Sequence, residues 1–332
     1  MLAARLYGPY DLKVEEVEKP SPIKNWVLIK VEAVGICGTD KAFYKGTYKL
    51  PKAPLILGHE ICGKVIEVGE NVPREIIGKR VVTEINIVCG RCWFCSHSLY
   101  THCPYRETLG ITVDGGMAEY VAVPFNNLHV VDLEPEVGVF VEPLAAVIEM
   151  VKLEPPLPGF NIAILGSGNI GLLALQVLRL YAPSNIVVIV RKDSPKAKFA
   201  EKLGADYVVT FEEAMELRRK ITPEGQGYDY VVEATGNPQG LSLALKLVRP
   251  RGVIAAKSTH GIHVSFNYTE MVVKEIKIIG SRCGPFPPAI KLLEKGMIQV
   301  KELITSIFSL REAITAFKKS LERSQVKVIV KP

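Results

Sequence analysis

Two different patterns of hydrophobic and polar residues divide the chain. Up to about residue 140, short segments alternate apolar and polar side chains, as at residues 26–31 and 80–82, and glycine or proline stands close to each segment. This alternation is typical of half-buried strands, and the frequent turns favour a compact, partly open β-barrel. From about residue 150 the apolar runs become continuous and are separated by helical stretches. That second pattern indicates a parallel sheet covered on both faces.

Six continuous apolar runs in the second part are each followed by a turn. We predict strands at residues 162–165, 186–190, 207–209, 230–232, 253–255 and 276–279. Six strands that are buried on both faces and separated by helices predict an α/β fold with a doubly wound parallel sheet of the Rossmann type.

The last part of the chain, from about residue 285, returns to mixed character. It shows helical patterns near residues 286–295 and 311–321 and ends in a strand at 326–330. We expect this part to rejoin the first domain. The predicted domains are residues 1–148 for the β-rich part, 149–284 for the parallel sheet and 285–332 for the return.

The composition excludes several classes of protein. The chain has 332 residues, 48% of them hydrophobic and 23% charged, which is ordinary for a globular protein of two domains. The formal net charge of +6 is not concentrated in a basic run, so it gives no indication of nucleic-acid binding. No apolar run approaches the roughly 20 residues of a membrane-spanning helix, and the start lacks the pattern of a signal peptide. We expect a cytoplasmic protein.

Four of the seven cysteines lie between residues 89 and 103. Their spacing is C-x2-C-x2-C-x7-C, and four thiolates complete a tetrahedral zinc site with no open position. We therefore predict a structural zinc that stabilises this lobe and is bound by Cys89, Cys92, Cys95 and Cys103. An iron–sulfur cluster is the alternative, but ferredoxin-type sequences differ in the fourth interval and in their proline.

A second set of metal donors is spread along the β-rich part. His59 and Glu60 follow a short apolar run and offer a nitrogen and an oxygen. They do not complete a zinc site by themselves, because a catalytic zinc has three protein ligands and a water. Cys37 supplies a thiolate upstream, and Glu142 supplies a further carboxylate downstream. An ordinary turn would explain an isolated His-Glu pair, but these neighbours favour a metal site.

The first strand of the predicted parallel sheet leads into a glycine-rich turn. A helix is predicted to follow it, from Leu172 to about Leu180. With a strand before it and a helix after it, a G-x-G-x-x-G pattern indicates a dinucleotide site, because the glycines admit the pyrophosphate to the helix N-terminus. The residues of this turn are Gly166, Ser167, Gly168, Asn169, Ile170 and Gly171.

The choice between NAD and NADP is made at the end of the second strand, about 20 residues after the last glycine. An NAD enzyme places Asp or Glu there to bind the ribose 2′-hydroxyl. This chain has Arg191 and Lys192, and two cations suit a 2′-phosphate. The alternative is that both cations are solvated and that Asp193 binds the ribose. We predict a preference for NADP over NAD.

Polar residues also follow the fourth, fifth and sixth predicted strands. Because ligands of open α/β sheets lie at the carboxyl ends of the strands, we predict cofactor contacts there, although ordinary turns explain the same residues. The residues are Thr235, Gly236, Ser258, Thr259 and Arg282.

Taken together, these motifs resemble the zinc-containing medium-chain alcohol dehydrogenases, and the resemblance covers essentially the whole chain. It implies a GroES-like catalytic domain combined with a Rossmann domain. The motifs stand in the family's order and near its spacing: Gly35-Ile36-Cys37-Gly38-Thr39-Asp40, Gly58-His59-Glu60, the four-cysteine lobe, Asp114-Gly115-Gly116, Glu142-Pro143-Leu144 and the glycine-rich turn.

The resemblance implies a catalytic zinc bound by Cys37 and His59, with either Glu142 or Glu60 as the exchangeable carboxylate. A carboxylate at position 142 is similar to the polyol, threonine and sugar dehydrogenase branches. Zinc then polarises the substrate oxygen while hydride passes between the substrate and NADP(H), and Thr39 resembles the hydroxyl that starts the proton relay. The family also implies a homo-oligomer, either a dimer or a tetramer, and a small alcohol or ketone substrate, with no nucleic-acid or membrane partner.

The chain departs from its polyol-type relatives just after Thr39. Many of them carry a histidine and then an aromatic hydroxyl, where this chain has Ala42 and Phe43, although Tyr44 keeps a phenol. A less polar pocket wall has fewer groups with which to select a polyol, so our hypothesis is a larger or more apolar secondary alcohol or ketone. The alternatives are a polyol, sugar or threonine dehydrogenase, a zinc-free quinone or enone reductase, and a catalytically silent NADPH-binding protein.

Overall fold

The computed structural model describes residues 1–332, which form two compact units. The first unit consists of Met1–Glu142, Ile290–Glu294 and Ile304–Pro332, and the second of Pro143–Ala289 and Lys295–Leu303. The sequence places the first junction between residues 148 and 149, whereas the units divide after Glu142. This junction falls in the first turn of a helix, so no linker composition marks it in the sequence.

The first unit begins with short antiparallel strands. They are β1 (Leu2–Gly8), β2 (Asp11–Glu16), β3 (Trp26–Gly35), β4 (Leu55–Ile56), β5 (Glu60–Val68), β6 (Arg80–Thr83), β7 (Asn86–Ile87), β8 (Glu107–Thr108), β9 (Tyr120–Pro124) and β10 (Leu128–Val130). The long pair β3 and β5 shifts register twice, between Leu28 and Ile29 and between Val31 and Ala33. Such irregularities are typical of β-bulges, which bend a strand.

The second unit contains a six-stranded sheet. Its strands are β11 (Asn161–Leu165), β12 (Asn185–Ile189), β13 (Tyr207–Val209), β14 (Tyr228–Glu233), β15 (Val248–Ala256) and β16 (Lys277–Gly280). They are all parallel and lie in the order β13-β12-β11-β14-β15-β16. The predicted doubly wound sheet is confirmed, since the order reverses at β11 as in dinucleotide-binding folds.

The chain returns to the first unit through β17 (Ile304–Ser309) and β18 (Lys327–Lys331). The strands β10-β6-β5-β3-β18-β17 lie side by side in one sheet, and β9 also pairs with β3. Strand β18 runs antiparallel to the end of β3, with Ile329 opposite Gly35. The last strand of the chain therefore lies beside the segment that leads into Cys37.

Eleven α-helices connect these strands, and none has the length and apolar character that crossing a membrane requires. The helix after the glycine-rich turn begins at Asn169, earlier than the predicted Leu172, because Gly168 already serves as its N-cap. The helices are α1 (Gly38–Lys45), α2 (Trp93–Ser96), α3 (Pro135–Gly138), α4 (Val141–Leu153), α5 (Asn169–Arg179), α6 (Ala197–Lys202), α7 (Phe211–Ile221), α8 (Gly240–Leu247), α9 (Tyr268–Val273), α10 (Phe286–Glu294) and α11 (Ala313–Ser320).

Candidate functional site

The Asp40 carboxylate accepts hydrogen bonds from the two loops that carry Cys37 and His59. Cys37 is the residue just before α1, and its backbone N–H donates to Asp40 Oδ2 at 2.8 Å. The backbone N–H of Gly58 donates to Asp40 Oδ1 at 3.4 Å. The Asp40 side chain is fully buried, and burial raises its pKa against the lowering effect of His59 and these donors. One buried carboxylate thus links the backbone at Cys37 to the backbone just before His59.

His59 is buried among acidic groups. Its Nδ1 lies 3.7 Å from Asp40 Oδ1 and has no hydrogen-bond partner in the structure. Burial lowers the pKa of His59, but Cys37, which is hydrogen-bonded to the ring, and the carboxylates of Asp40 and Glu142 raise it well above its usual value. Groups that stabilise a positive charge on the ring in this way also attract a metal cation to the same place.

Glu142 lies in the first turn of α4 and is close enough to His59 to affect the pKa of the ring. The three donors are a thiol from the residue before α1, an imidazole from the residue before β5 and a carboxylate from the first turn of α4, and the thiol and the carboxylate both raise the pKa of the imidazole. One sulfur, one nitrogen and one oxygen donor are the number and kind of ligands that a catalytic zinc takes from a protein. The kinds of donor therefore suit zinc, and the catalytic zinc site stays a prediction.

Glu60 is directed elsewhere, toward Lys327 on β18. The Lys327 ammonium donates to both oxygens of the Glu60 carboxylate, at 2.7 and 2.5 Å, and both side chains are almost completely buried. The ammonium also lies 5.4 Å from the centre of the Phe140 ring. A Cβ atom on Gly35 would meet Glu60 Oε2 at 2.0 Å, so only glycine leaves room for the carboxylate. Sequence reasoning missed Lys327, which follows Glu60 by 267 residues.

The residues predicted to line the substrate pocket are buried on α1. Phe43 belongs to the hydrophobic core of the first unit and stacks on Tyr48 at 5.3 Å between ring centres. Ala42 is 7% exposed, and Tyr44 packs edge-on against Tyr10. Thr39 is half-buried in the first turn of the helix. The structure gives Phe43 a packing role, and a role for it in the substrate pocket stays a prediction.

The four lobe cysteines form one cluster, in which all four sulfurs lie within 4.8 Å of one another. Neighbouring sulfurs are 3.5 to 3.8 Å apart. Four ligands at about 2.3 Å from a central ion in a tetrahedron stand about 3.8 Å apart, so the cluster fits zinc. A backbone hydrogen bond from Arg91 lowers the pKa of Cys89 to about 6, whereas burial raises the pKa of Cys95 to about 12. A bound divalent cation deprotonates the thiols that coordinate it.

The glycine-rich turn of the second unit has the shape that a dinucleotide needs. Gly166 has a φ of +107°, and a Cβ there would meet the Ala234 carbonyl oxygen at 2.7 Å. A Cβ on Gly171 would meet the Gly166 carbonyl oxygen at 1.9 Å. Around Gly168, by contrast, the position of a Cβ is open, and this residue is the N-cap of α5. The first and last glycines serve packing, and the middle one leaves space for a phosphate at the helix N-terminus.

Three cations gather after β12. Arg191 and Lys192 are exposed, and Lys196, which sequence reasoning missed, is half-buried at the N-cap of α6. Burial and the nearby Arg191 lower the pKa of Lys196, and none of the three cations forms an ion pair with an acidic side chain. Asp193, the alternative ribose ligand, is exposed in the same turn. The excess of positive charge suits an anionic ligand.

Two of the three polar segments predicted at the carboxyl ends of the strands meet in the structure. The backbone N–H of Gly236 donates to Ser258 Oγ at 2.8 Å. Thr259 is exposed beside Ser258, and Arg282 is exposed just beyond β16. Sequence reasoning missed Lys257, whose ammonium donates to the Ser281 carbonyl and hydroxyl oxygens, both at 2.9 Å.

Domain models and known proteins match this chain over most of its length. The alcohol dehydrogenase GroES-like domain model matches residues 23–133, and the zinc-binding dehydrogenase model matches residues 169–295. The chain is 36% identical to D-arabitol-phosphate dehydrogenase of Enterococcus avium, over 95% of this chain and 92% of that protein. It is 31% identical to sorbitol dehydrogenase of Halalkalibacterium halodurans, over 98% and 97%.

A solved structure from Sinorhizobium meliloti 1021, described as a zinc-binding dehydrogenase bound to NADP, superposes with a TM-score of 0.90 at 33% identity, over 100% of this chain and 99% of that one. These matches define the class as zinc-binding dehydrogenases. The chain belongs to the zinc-containing medium-chain alcohol dehydrogenase family and is an oxidoreductase of the alcohol dehydrogenase type.

Proposed function

We propose that the protein interconverts a secondary alcohol and a ketone with NADP(H), using a zinc ion held by Cys37, His59 and Glu142. The observation that carries this proposal is the separation of the two candidate carboxylates. Glu142 lies near His59, whereas both oxygens of Glu60 are engaged by the buried Lys327. We therefore propose Glu142 as the third protein ligand of the zinc. We assign Glu60 to its buried ion pair with Lys327.

Each side chain then has a defined task. Zinc, when bound, supplies a Lewis acid for the substrate oxygen. Asp40 Oδ1 lies 3.7 Å from His59 Nδ1, on the side of the ring where a carboxylate commonly orients a metal-binding histidine. Thr39, two residues after Cys37, supplies a hydroxyl through which the alcohol proton leaves, and Ala42 rules out a histidine relay at that position. NADP supplies the hydride acceptor, and the chain's part is to hold and orient it.

The preference for NADP is supported by the three cations after β12. Arg191, Lys192 and Lys196 form no ion pairs, so a 2′-phosphate finds donors that are not already neutralised. The relative from Sinorhizobium meliloti was determined with NADP bound. The absence of an acidic residue at position 191 removes the usual partner of the NAD ribose.

Arg191→Asp is expected to lower kcat/KM for NADPH by about 10- to 100-fold, because one charged hydrogen bond contributes roughly 1.5–3 kcal/mol. The measurement is the ratio of kcat/KM for NADPH and NADH in the native protein and in the variant. Lys198→Asp is the matched control, since this exposed lysine lies on α6, shortly after the turn that carries Arg191, and its replacement changes the net charge equally. Equal use of NADH and NADPH by the native protein, or an unchanged ratio in Arg191→Asp, would contradict the assignment.

The two candidate substrates differ in the carbon chain that carries the secondary alcohol. Ala42 and Phe43 support a larger or more apolar substrate. A polyol is the second candidate, because the relatives from Enterococcus avium and Halalkalibacterium halodurans are named for arabitol phosphate and sorbitol. A substrate panel of apolar ketones, polyols and polyol phosphates, assayed with NADP(H), decides between them. Faster turnover of the polyols by a wide margin would overturn the apolar choice.

We also propose that the protein is a homo-oligomer, either a dimer or a tetramer. Strand β16 is an edge of the six-stranded sheet and pairs only with β15. The helix that precedes it in the chain, α9, exposes Val272 and Val273, the latter by 75%. An unpaired strand edge is a surface on which a second copy can join, and exposed apolar side chains favour such contacts. Light scattering of the purified protein tests this, and a monomer at micromolar concentration would contradict it.

A further inference from the structure

A buried carboxylate lies at the carboxyl end of β14, where the mechanism assigns it no task. Glu233 is 4% exposed, and its Oε1 accepts three hydrogen bonds. The donors are the Thr235 backbone N–H at 2.9 Å, the Thr235 hydroxyl at 2.6 Å and the Ser258 hydroxyl at 2.9 Å. A carboxylate with this many partners holds its neighbours in one arrangement.

The charge of Glu233 fixes the direction of two hydroxyl groups. A carboxylate only accepts, so the Thr235 and Ser258 hydroxyls must both donate to it. Their lone pairs then remain for backbone amides, and the structure shows these contacts. The Gly236 N–H donates to Ser258 Oγ at 2.8 Å, and the Asn237 N–H donates to Thr235 Oγ1 at 3.1 Å. One side chain thereby orders the backbone of residues 235–237 and joins it to the end of β15.

The fold makes room for Glu233 at the start of α8. A Cβ on Gly240, the first residue of this helix, would meet Glu233 Oε1 at 2.2 Å and Thr235 Oγ1 at 2.5 Å. Only glycine there allows the carboxylate to lie against the N-terminus of the helix, where a negative charge is favoured. The backbone N–H of Lys257 also donates to the Glu233 carbonyl oxygen at 2.8 Å, so the ends of β14 and β15 are joined by main chain and side chain.

We infer that Glu233 is a positioning residue for the dinucleotide, acting through Thr235, Gly236 and Ser258. These three residues stand at the carboxyl ends of adjacent parallel strands, which is where ligands of such sheets bind. The inference rests on the proposed function, because it requires that the second unit binds NADP(H). It adds that the affinity for the cofactor depends on a carboxylate that does not itself touch the cofactor.

The chain provides a matched control at the other end of the same strand. Asp229 on β14 also braces its surroundings with a carboxylate. Its Oδ2 accepts from the Asn161 backbone N–H at 2.8 Å, and its Oδ1 accepts from Arg249 Nε at 2.7 Å. Asp229→Asn therefore removes a comparable structural charge at the amino edge of the sheet, away from the predicted cofactor contacts.

The test measures the dissociation constants of NADPH and NADH by fluorescence titration, together with kcat, the KM for NADPH, and the KM for the second substrate at saturating NADPH. Glu233→Gln keeps the shape of the side chain, but its amide N–H groups can donate to the Thr235 and Ser258 hydroxyls. The direction of these two hydrogen bonds is then reversed. We expect an increase in the NADPH dissociation constant of about tenfold, with kcat within about twofold of the native value. Ser258→Ala should give a smaller increase, and Asp229→Asn should leave cofactor affinity unchanged.

Two results would overturn the role of Glu233. An unchanged cofactor affinity in Glu233→Gln overturns it, and so does an equal loss of affinity in Asp229→Asn, since that result indicates a general loss of structure. Equal weakening of NADPH and NADH in Glu233→Gln supports it, whichever cofactor the native protein prefers. A native protein that binds neither dinucleotide overturns the proposed function and this inference together.

Discussion

His59→Ala is expected to lower kcat/KM for the alcohol by about 1,000-fold, which corresponds to roughly 4 kcal/mol of transition-state stabilisation. The ring supplies the nitrogen donor of the proposed ligand set with Cys37 and Glu142, and Asp40 Oδ1 lies 3.7 Å from its Nδ1. Without it, a thiol and a carboxylate remain, which is fewer than the three protein ligands of a catalytic zinc. The measurement is steady-state turnover with zinc present throughout purification.

The control for this variant is His129→Ala in the same unit. His129 is half-buried and its Nε2 lies 2.9 Å from Glu84 Oε1, so its loss also removes a histidine that contacts a carboxylate. We expect activity within a few-fold of the native value, because His129 lies outside the cluster around Cys37. Comparable losses in the two variants would mean that the effect of His59→Ala comes from general destabilisation. Full activity in His59→Ala would remove the basis of the zinc mechanism.

Lys327→Met is expected to destabilise the protein by about 3–5 kcal/mol, which is the usual consequence of leaving one member of a buried ion pair without its partner. Both side chains of the pair with Glu60 are nearly inaccessible to water, so no solvent replaces the ammonium. The measurement is denaturant unfolding of the zinc-loaded protein. Lys331→Met on the same strand is the control, because its ion pair with Glu136 is half-exposed and such pairs contribute about 0–1 kcal/mol.

A double variant separates the ion pair from simple packing. Lys327→Met combined with Glu60→Met replaces both charges by apolar side chains of similar length, and buried pairs replaced in this way often recover their stability. We expect the double variant to be more stable than Lys327→Met alone. If Lys327→Met and Lys331→Met have equal and small effects, the carboxylate of Glu60 is not held by Lys327 in solution.

The features that sequence reasoning predicted best depend on residues close together in the chain. The parallel sheet follows from continuous apolar runs, each of which forms its own strand, and its six members are found as expected. The four-cysteine cluster is confined to residues 89–103. The glycine-rich turn needs only the strand before it and the helix after it. In each case local spacing already determines the geometry.

The partners of the buried charged groups could not be predicted, because they come from distant parts of the chain. Glu60 meets Lys327 only because β18 returns to pair with β3, and nothing near either residue marks that pairing. Glu233 is a similar case, since its contact with Ser258 depends on the packing of β14 beside β15. Phe43 also packs in the hydrophobic core of the first unit, and its role at the substrate pocket stays a prediction.

The central claim is that the chain holds two separate zinc ions, one at Cys37, His59 and Glu142 and one in the four-cysteine lobe. The most direct test is elemental analysis of zinc per chain in the native protein, in Cys37→Ser and in Cys103→Ser, all purified with zinc and without chelator. The account predicts about two zinc ions in the native protein and about one in each variant, with activity lost in Cys37→Ser. One zinc in both the native protein and Cys37→Ser would contradict it, since only the lobe would then bind metal and the chemistry would have to proceed without zinc.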